Sequence, residues 1–228
     1  MRPPRDAFER AELVGRGLAC RRGGRLVFAG LDCALPAGGA LILTGSNGSG
    51  KSSLLRLLAS LLEPAAGQLL WDGLPVGQDA AAYRARIGYL GHLDAAKPAL
   101  TARETLQFWA ALADAPLPDP DAALEALDRF GLSAAADWPC RWLSAGQRRR
   151  LALARLVAAP AAVWLLDEPT TALDSDGEAR LSAAIAQHRA EAGRVVIATH
   201  QPLALAGAAT IALDDYAVSR QEALATLW

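Results

Sequence analysis

The segment Ala40-Leu-Ile-Leu-Thr44, followed by Gly45-Ser46-Asn47-Gly48-Ser49-Gly50-Lys51-Ser52, constrains this chain more than any other. Five apolar or β-favouring residues running straight into glycine predict a strand buried on both faces of a parallel sheet. The next eight residues fit GxxxxGK[ST], and Ser53 to Leu62 reads as the start of a helix. In that order the glycines let backbone N–H groups converge on a β-phosphate, and the helix N-terminus adds its positive dipole end. Lys51 would reach the β- and γ-phosphates from a solvated crevice, and the Ser52 hydroxyl would ligate Mg²⁺. A turn that merely caps a helix needs neither the lysine nor the paired glycine spacing.

A phosphate loop needs a sheet to carry it, and the rest of the chain supplies one. Ile87 to Leu90, Val163 to Leu166 and Val195 to Ala198 are further short apolar runs separated by helix-like segments. The core is therefore read as α/β with a parallel sheet. Residues Leu13 to Ala19, Arg25 to Phe28 and Leu31 to Leu35 alternate partly and are punctuated by Gly23, Gly24 and Gly30, which predicts an antiparallel layer beside it. Between His92 and Arg141 strand signals stop. Thr101-Ala-Arg-Glu104 is a capping box, Leu106, Trp109, Ala110 and Ala113 follow at helical spacing, and a second helix runs from about Asp119-Pro120 to Gly131. This predicts a flexible tail over 1–12 and a single domain over 13–228, its core about 13–91 and 155–228 and a helical subdomain about 92–154.

The strand Val163-Trp-Leu-Leu-Asp167-Glu168 ends in two carboxylates. At the C-terminal end of a parallel strand these face the ligand crevice, where Asp167 would hold the metal's hydration shell and Glu168 would polarise an attacking water. Taken alone, a strand ending in Asp-Glu is usually a plain exit into a solvated loop; the phosphate loop upstream decides for the first reading. Upstream, Leu143-Ser144-Ala145-Gly146-Gln147 is a second capping box opening the helical run Arg148 to Ala158.

The chain is 52% hydrophobic with a formal charge of −1, and Lys51 and Lys97 are its only lysines, so no global positive field draws it to nucleic acid. The run Arg148-Arg149-Arg150 is read as the solvated side of a helix rather than a nucleic-acid contact, and it also suits a seam near nucleotide phosphates. Cys20, Cys33 and Cys140 are odd in number and widely spaced, which fits a reducing compartment and no zinc site. Leu151 to Leu166 is interrupted by Arg155 and Pro160 and is too short to span a bilayer.

GSNGSGKSS, LSAGQ, LLDEPTTALD and a histidine closing VVIATH, in this order and spacing, resemble the ABC-transporter ATPases over about Gly15 to Leu213. The resemblance implies a P-loop ATPase fold, ATP and Mg²⁺ as cofactors, and a head-to-tail dimer in which each ATP lies between the loop Gly45–Ser53 of one copy and Ser144, Gly146 and Gln147 of the other. It also implies that Asp174 lies at the dimer seam and that His200 contacts the γ-phosphate. A helix N-terminus begun by Ser144, with no phosphate of its own nearby in sequence, suits that role physically.

The chain departs from the family at His92, where relatives carry glutamine, and in lacking the early aromatic that stacks on adenine; Arg21 or Arg22 falls near its place. Imidazole at position 92 could bond the attacking water or the metal's hydration shell. Tyr89-Leu-Gly-His92 with Lys97, Leu100-Thr101, Glu104, Leu106 and LSAGQRRRLALARL resembles, within the family, the ATP-binding subunits of bacterial cytochrome c maturation systems of the haem-exporter type. That implies a peripheral ATPase on the cytoplasmic face of the inner membrane, docked on integral membrane permease subunits and energising haem export and haem chaperone release. With three histidines and no CxxCH, direct haem binding is not expected. Another ABC transporter, a soluble ABC ATPase and a catalytically silent module are the alternatives; the absence of coiled coils and basic surfaces disfavours the second, and Glu168 with His200 disfavours the third.

Overall fold

A computed structural model of the chain describes residues 12–112, 120–159, 161–201 and 205–218. Within them β1 (Leu13–Arg22) and β2 (Arg25–Leu35) form a hairpin. Then follow β3 (Ala40–Thr44), α1 (Lys51–Leu58), β4 (Ala66–Trp71), β5 (Leu74–Pro75), α2 (Ala80–Arg84) and β6 (Ile87–Leu90). The remainder comprises α3 (Ala102–Leu112), α4 (Pro120–Arg129), α5 (Ala145–Ala158), β7 (Val163–Asp167), α6 (Ser175–Ala190), β8 (Arg194–Ala198) and β9 (Ala209–Ala212).

The strands make two sheets. One is antiparallel in the order β2-β1-β4-β5; the other runs β6-β7-β8-β3-β9, every pairing in it parallel. The parallel strands read as continuous apolar runs because both faces are covered, and the side-chain period of two divides them. On β7, Val163 and Leu165 join one core with Leu54, Leu55, Leu57 and Leu58 of α1 and with Leu18, Phe28 and Leu31 of the antiparallel sheet. Trp164 and Leu166 point the other way, into a second core with Leu106 of α3, Leu127 of α4, Leu151 and Leu153 of α5 and Leu181 of α6. Each fully buried leucine contributes roughly 2 kcal/mol relative to exposure.

The helices are punctuated as their sequences require. The Thr101 N–H donates to Glu104 Oε2 at 2.8 Å, and the Glu104 N–H donates to Thr101 Oγ1 at 3.1 Å, opening α3. Leu106 and Ala110 are buried and Trp109 is half-buried, while Ala113, Asp119 and residues 1–11 lie outside the described residues. Helix α1 starts at Lys51, earlier than the sequence suggests, and stops at Leu58 because Ser60 adopts a left-handed φ of 53°. Among the described residues no helix is long and apolar enough to cross a membrane.

Candidate functional site

Strands β7, β8 and β3 are consecutive neighbours, so their C-terminal ends meet on one edge of the parallel sheet. Ala198, the last residue of β8, pairs with Leu43 on one side and Asp167 on the other. Just beyond, the Thr199 N–H donates to the Leu43 carbonyl at 3.1 Å and the Glu168 N–H to the Ala198 carbonyl at 2.9 Å. These bonds fix three chain segments side by side: the loop Gly45–Ser52, the pair Asp167-Glu168, and Thr199-His200. This is where an open α/β sheet places its ligand.

In the loop, Gly45, Gly48 and Gly50 have φ of 137°, 87° and 105°. Gly50 is the residue before α1, and a Cβ there would stand 2.8 Å from Val27 Cγ1 and 3.0 Å from Phe28 Cδ1, so the antiparallel sheet presses the loop backbone into place. No side chain caps α1, which leaves its first-turn N–H groups to the loop's concavity. Lys51 is only 8% exposed and does not stand in a solvated crevice: its ammonium donates to the carbonyls of Gly45 (2.7 Å) and Ser46 (3.0 Å). The Ser49 hydroxyl is buried without a hydrogen-bond partner, while Ser46, Asn47 and Gly48 are exposed and Ser52 and Ser53 half-buried. Left-handed glycines, an uncapped helix start, a buried ammonium and an unpartnered hydroxyl together suit a polyphosphate. Ser52 at the start of α1 and Asp167 at the end of β7 are the groups offered to a divalent cation.

A residue the sequence did not single out holds this loop. The Ser46 N–H donates to Asp214 Oδ2 at 3.0 Å and the Ser46 hydroxyl to Asp214 Oδ1 at 2.8 Å. Those bonds hold the Asp214 carboxyl below the ordinary carboxylate range. Asp214 lies in a short 3₁₀ turn directly after β9, and at a sequence separation of 168 no local pattern announces the contact.

Asp167 is buried at the end of β7. Glu168 adopts a left-handed φ of 48°, unusual for a residue with a Cβ, and its Oε2 lies 2.9 Å from His200 Nδ1. The backbone N–H of His200 also points at that oxygen, at 3.4 Å. The carboxylate is mostly covered while the imidazole is largely exposed, so the pair faces outward from the sheet edge. His92 is exposed on the loop after β6 and makes no hydrogen bond or ion pair with Glu168 or His200. Arg21 and Arg22 are both exposed at the tip of the β1–β2 hairpin, and Arg21 Nη1 donates to the Gly24 carbonyl at 3.5 Å.

Ser144 caps α5 with its side chain accepting from the Gln147 N–H at 3.1 Å, and the Ser144 N–H donates to Gln147 Oε1 at 2.8 Å. A Cβ on Gly146 would stand 2.9 Å from the Ala172 carbonyl, so the segment after Glu168 packs against this helix start. Asp174 caps α6 through the Gly177 N–H at 2.9 Å and pairs with Arg150. Both contacts, the Gly177 N–H first, hold its carboxyl below the usual range.

The arginine run is not a solvated face. Arg148 donates to the Leu143 carbonyl and Arg150 bonds Asp174 and Asp176, while Arg149 is 3% exposed. The signal was available: Arg149 stands four residues before Leu153 and seven before Leu156, on the buried stripe of α5.

The ABC transporter family model matches residues 28–171. The cytochrome c biogenesis ATP-binding export protein CcmA of Paramagnetospirillum magneticum is 53% identical over 207 residues, covering 90% of this chain and 95% of that one. Its counterpart of the same name in Rhodospirillum rubrum is 55% identical over 218 residues, covering 94% and 92%. Among solved structures, a putative ABC transporter ATP-binding protein from Pyrococcus furiosus superposes with a TM-score of 0.81 at 22% identity, over 91% of this chain and all of that one. The ATP-binding cassette MJ0796, in a dimeric post-hydrolysis state bound to ADP and Pi, gives 0.73 at 24% identity over 83% and 88%. Matched by the family model from the antiparallel sheet through the phosphate loop to the Asp167–Glu168 turn, and by these relatives along nine-tenths of its length, the chain belongs to the ABC transporter family.

Proposed function

We propose that this chain is the ATP-hydrolysing subunit of an ABC transporter complex that energises haem export or delivery, and release of the haem chaperone, in c-type cytochrome biogenesis. The name borne by its relatives at 53% and 55% identity, cytochrome c biogenesis ATP-binding export protein, supports the pathway. The observation that carries hydrolysis is the 2.9 Å contact between Glu168 and His200 on the sheet edge that also bears the phosphate loop.

In this reading residues 13–228 form one ATP-binding domain, with 92–154 as its helical subdomain. Gly45–Ser53 cradle the triphosphate, and Lys51 exchanges its loop carbonyls for β- and γ-phosphate oxygens. Ser52 and Asp167 hold Mg²⁺, which when bound neutralises phosphate charge. Glu168 orients and deprotonates water, its free oxygen being the base while His200 Nδ1–H anchors the other; His200 also reaches the γ-phosphate, and His92 stands by the water and metal. Ser144, Gly146, Gln147 and Asp174 meet the ATP held by a second copy, the capped start of α5 presenting N–H groups to its γ-phosphate.

A membrane partner has a place to dock. A groove of about 820 Å³ is lined by Leu61, Leu93, Leu112, Trp109 and Tyr89 among others. The three leucines are 58%, 81% and 61% exposed, an apolar concentration that suits a segment of the permease subunits on the cytoplasmic face of the inner membrane.

Replacing the chromosomal copy with Lys51→Ala in the source organism tests the reading. Haem-stained c-type cytochromes should disappear while the chain still purifies with multispanning membrane subunits. Normal c-type cytochromes, or purification with ribosomes or DNA instead, would overturn it.

A further inference from the structure

Arg149 is buried within α5, and its guanidinium uses all five of its N–H groups. Nε donates to the Pro169 carbonyl at 3.3 Å. Nη1 donates to the Gly91 carbonyl at 3.1 Å and to Asp94 Oδ1 at 3.2 Å. Nη2 donates to the carbonyls of Asp167 at 2.8 Å and Glu168 at 2.6 Å. A planar fork with five donors matches five acceptors on two separate segments, which the compact ammonium of lysine cannot do. Asp94 is the one carboxylate among them and balances the buried charge.

The two segments do different things. Gly91, His92, Leu93 and Ala95 line the groove, and Ala95 is held at a left-handed φ of 52°. Asp167 to Pro169 carry the two carboxylates of the nucleotide edge. The Glu168 backbone is left-handed, its N–H is tied to Ala198 and its side chain to His200. Its carbonyl is oriented by Arg149. One side chain therefore spans the groove wall and the turn that aims Glu168.

We infer that Arg149 is a positioning residue that locks the groove loop Gly91–Ala95 to the Asp167–Pro169 turn, so that a load on the groove is felt as a reorientation of Glu168. The inference rests on Glu168 being the hydrolytic group. Coupling carried by a continuous hydrogen-bonded tie of this kind acts in both directions. A nucleotide that fixes the turn quiets the loop.

The test uses the full chain with Mg²⁺. Arg149→Lys should lower kcat at least tenfold, with the Kd for a non-hydrolysable ATP analogue within threefold of the parent and cooperative melting retained. In the parent, the analogue should slow amide hydrogen exchange at residues 91–95; in Arg149→Lys that slowing should vanish. Added to Glu168→Gln, the lysine should reduce the residual turnover less than twofold, because the group it positions is already gone. Should Arg149→Lys lose cooperative melting, Asp94→Asn takes its place, with a threefold or greater loss of kcat and a weakened exchange response expected. A kcat within twofold of the parent, an exchange response that survives, or losses that multiply with Glu168→Gln would overturn the inference. Normal turnover by Glu168→Gln alone would instead remove the hydrolytic reading of Glu168, and the exchange response would then decide the tie by itself.

Discussion

His188 gives the fold a pH dependence whose size can be worked from its surroundings. Its ring stacks on Trp164 with centroids 4.0 Å apart and planes 4° from parallel, and Nε2 lies 3.2 Å from the Arg194 carbonyl. Burial pushes its pKa down to about 4, outweighing the bond to Arg194 and the charge of Glu191, which raise it; Arg194 lowers it further. Unfolded, the same imidazole titrates near its ordinary 6.5. Between those values the unfolded chain holds a proton that the folded chain does not, so stability is fully present above about 6.5 and falls as pH drops toward about 4. At 1.36 kcal/mol per pH unit the loss is roughly 3 kcal/mol, a large part of a domain's usual 5–15 kcal/mol. His188→Phe keeps an aromatic ring for Trp164 and removes the titration. Urea unfolding of both proteins from pH 7.5 to 4.5 reads the difference, because carboxylate effects common to both cancel. The wild type should lose roughly 2–3 kcal/mol more than the variant across that range. Parallel stability curves would refute the reasoning.

Lys51→Ala should weaken ATP binding at least tenfold, measured with a fluorescent analogue, and because the ammonium also ties two loop carbonyls it should lower stability by about 1–2 kcal/mol in denaturant unfolding. His92→Gln should retain substantial ATPase activity, since the amide can also bond an attacking water or the metal's hydration shell; a steady-state assay showing activity abolished by this swap would mean that the imidazole itself is required.

What the sequence reveals about this fold is what short-range rules encode. The strand–loop–helix at Ala40 to Leu58, the capping boxes at Thr101 and Ser144, and four of the five parallel strands are legible because each is fixed within a few residues of itself. The rest depends on partners far along the chain. Strand β4 pairs with β1 although Ala66-Gly-Gln-Leu-Leu-Trp71 is mostly exposed at its start, and β9 is a short, partly exposed edge strand, so neither shows the burial pattern of a core strand. The hairpin β1–β2 reads as three fragments because its register slips at three places between Gly15 and Arg21. At the site, residue types and order place Lys51, Asp167, Glu168 and His200 on one sheet edge, whereas the Ser46–Asp214 clamp emerges only from packing and the burial of Arg149 shows in the sequence only as its helical spacing from Leu153 and Leu156. Three consecutive arginines suggest solvent until α5 turns the middle one inward.

In the proposed mechanism Glu168 activates water beside ATP held by Gly45–Ser53. Turnover and solution size of Glu168→Gln with Mg-ATP test it most directly, because the amide keeps a hydrogen-bonding oxygen for His200 but cannot take a proton. The expected result is unimpaired ATP binding, hydrolysis reduced about 100-fold or more, and accumulation of a nucleotide-locked dimer. A variant that hydrolyses ATP at the wild-type rate and remains monomeric would contradict the account.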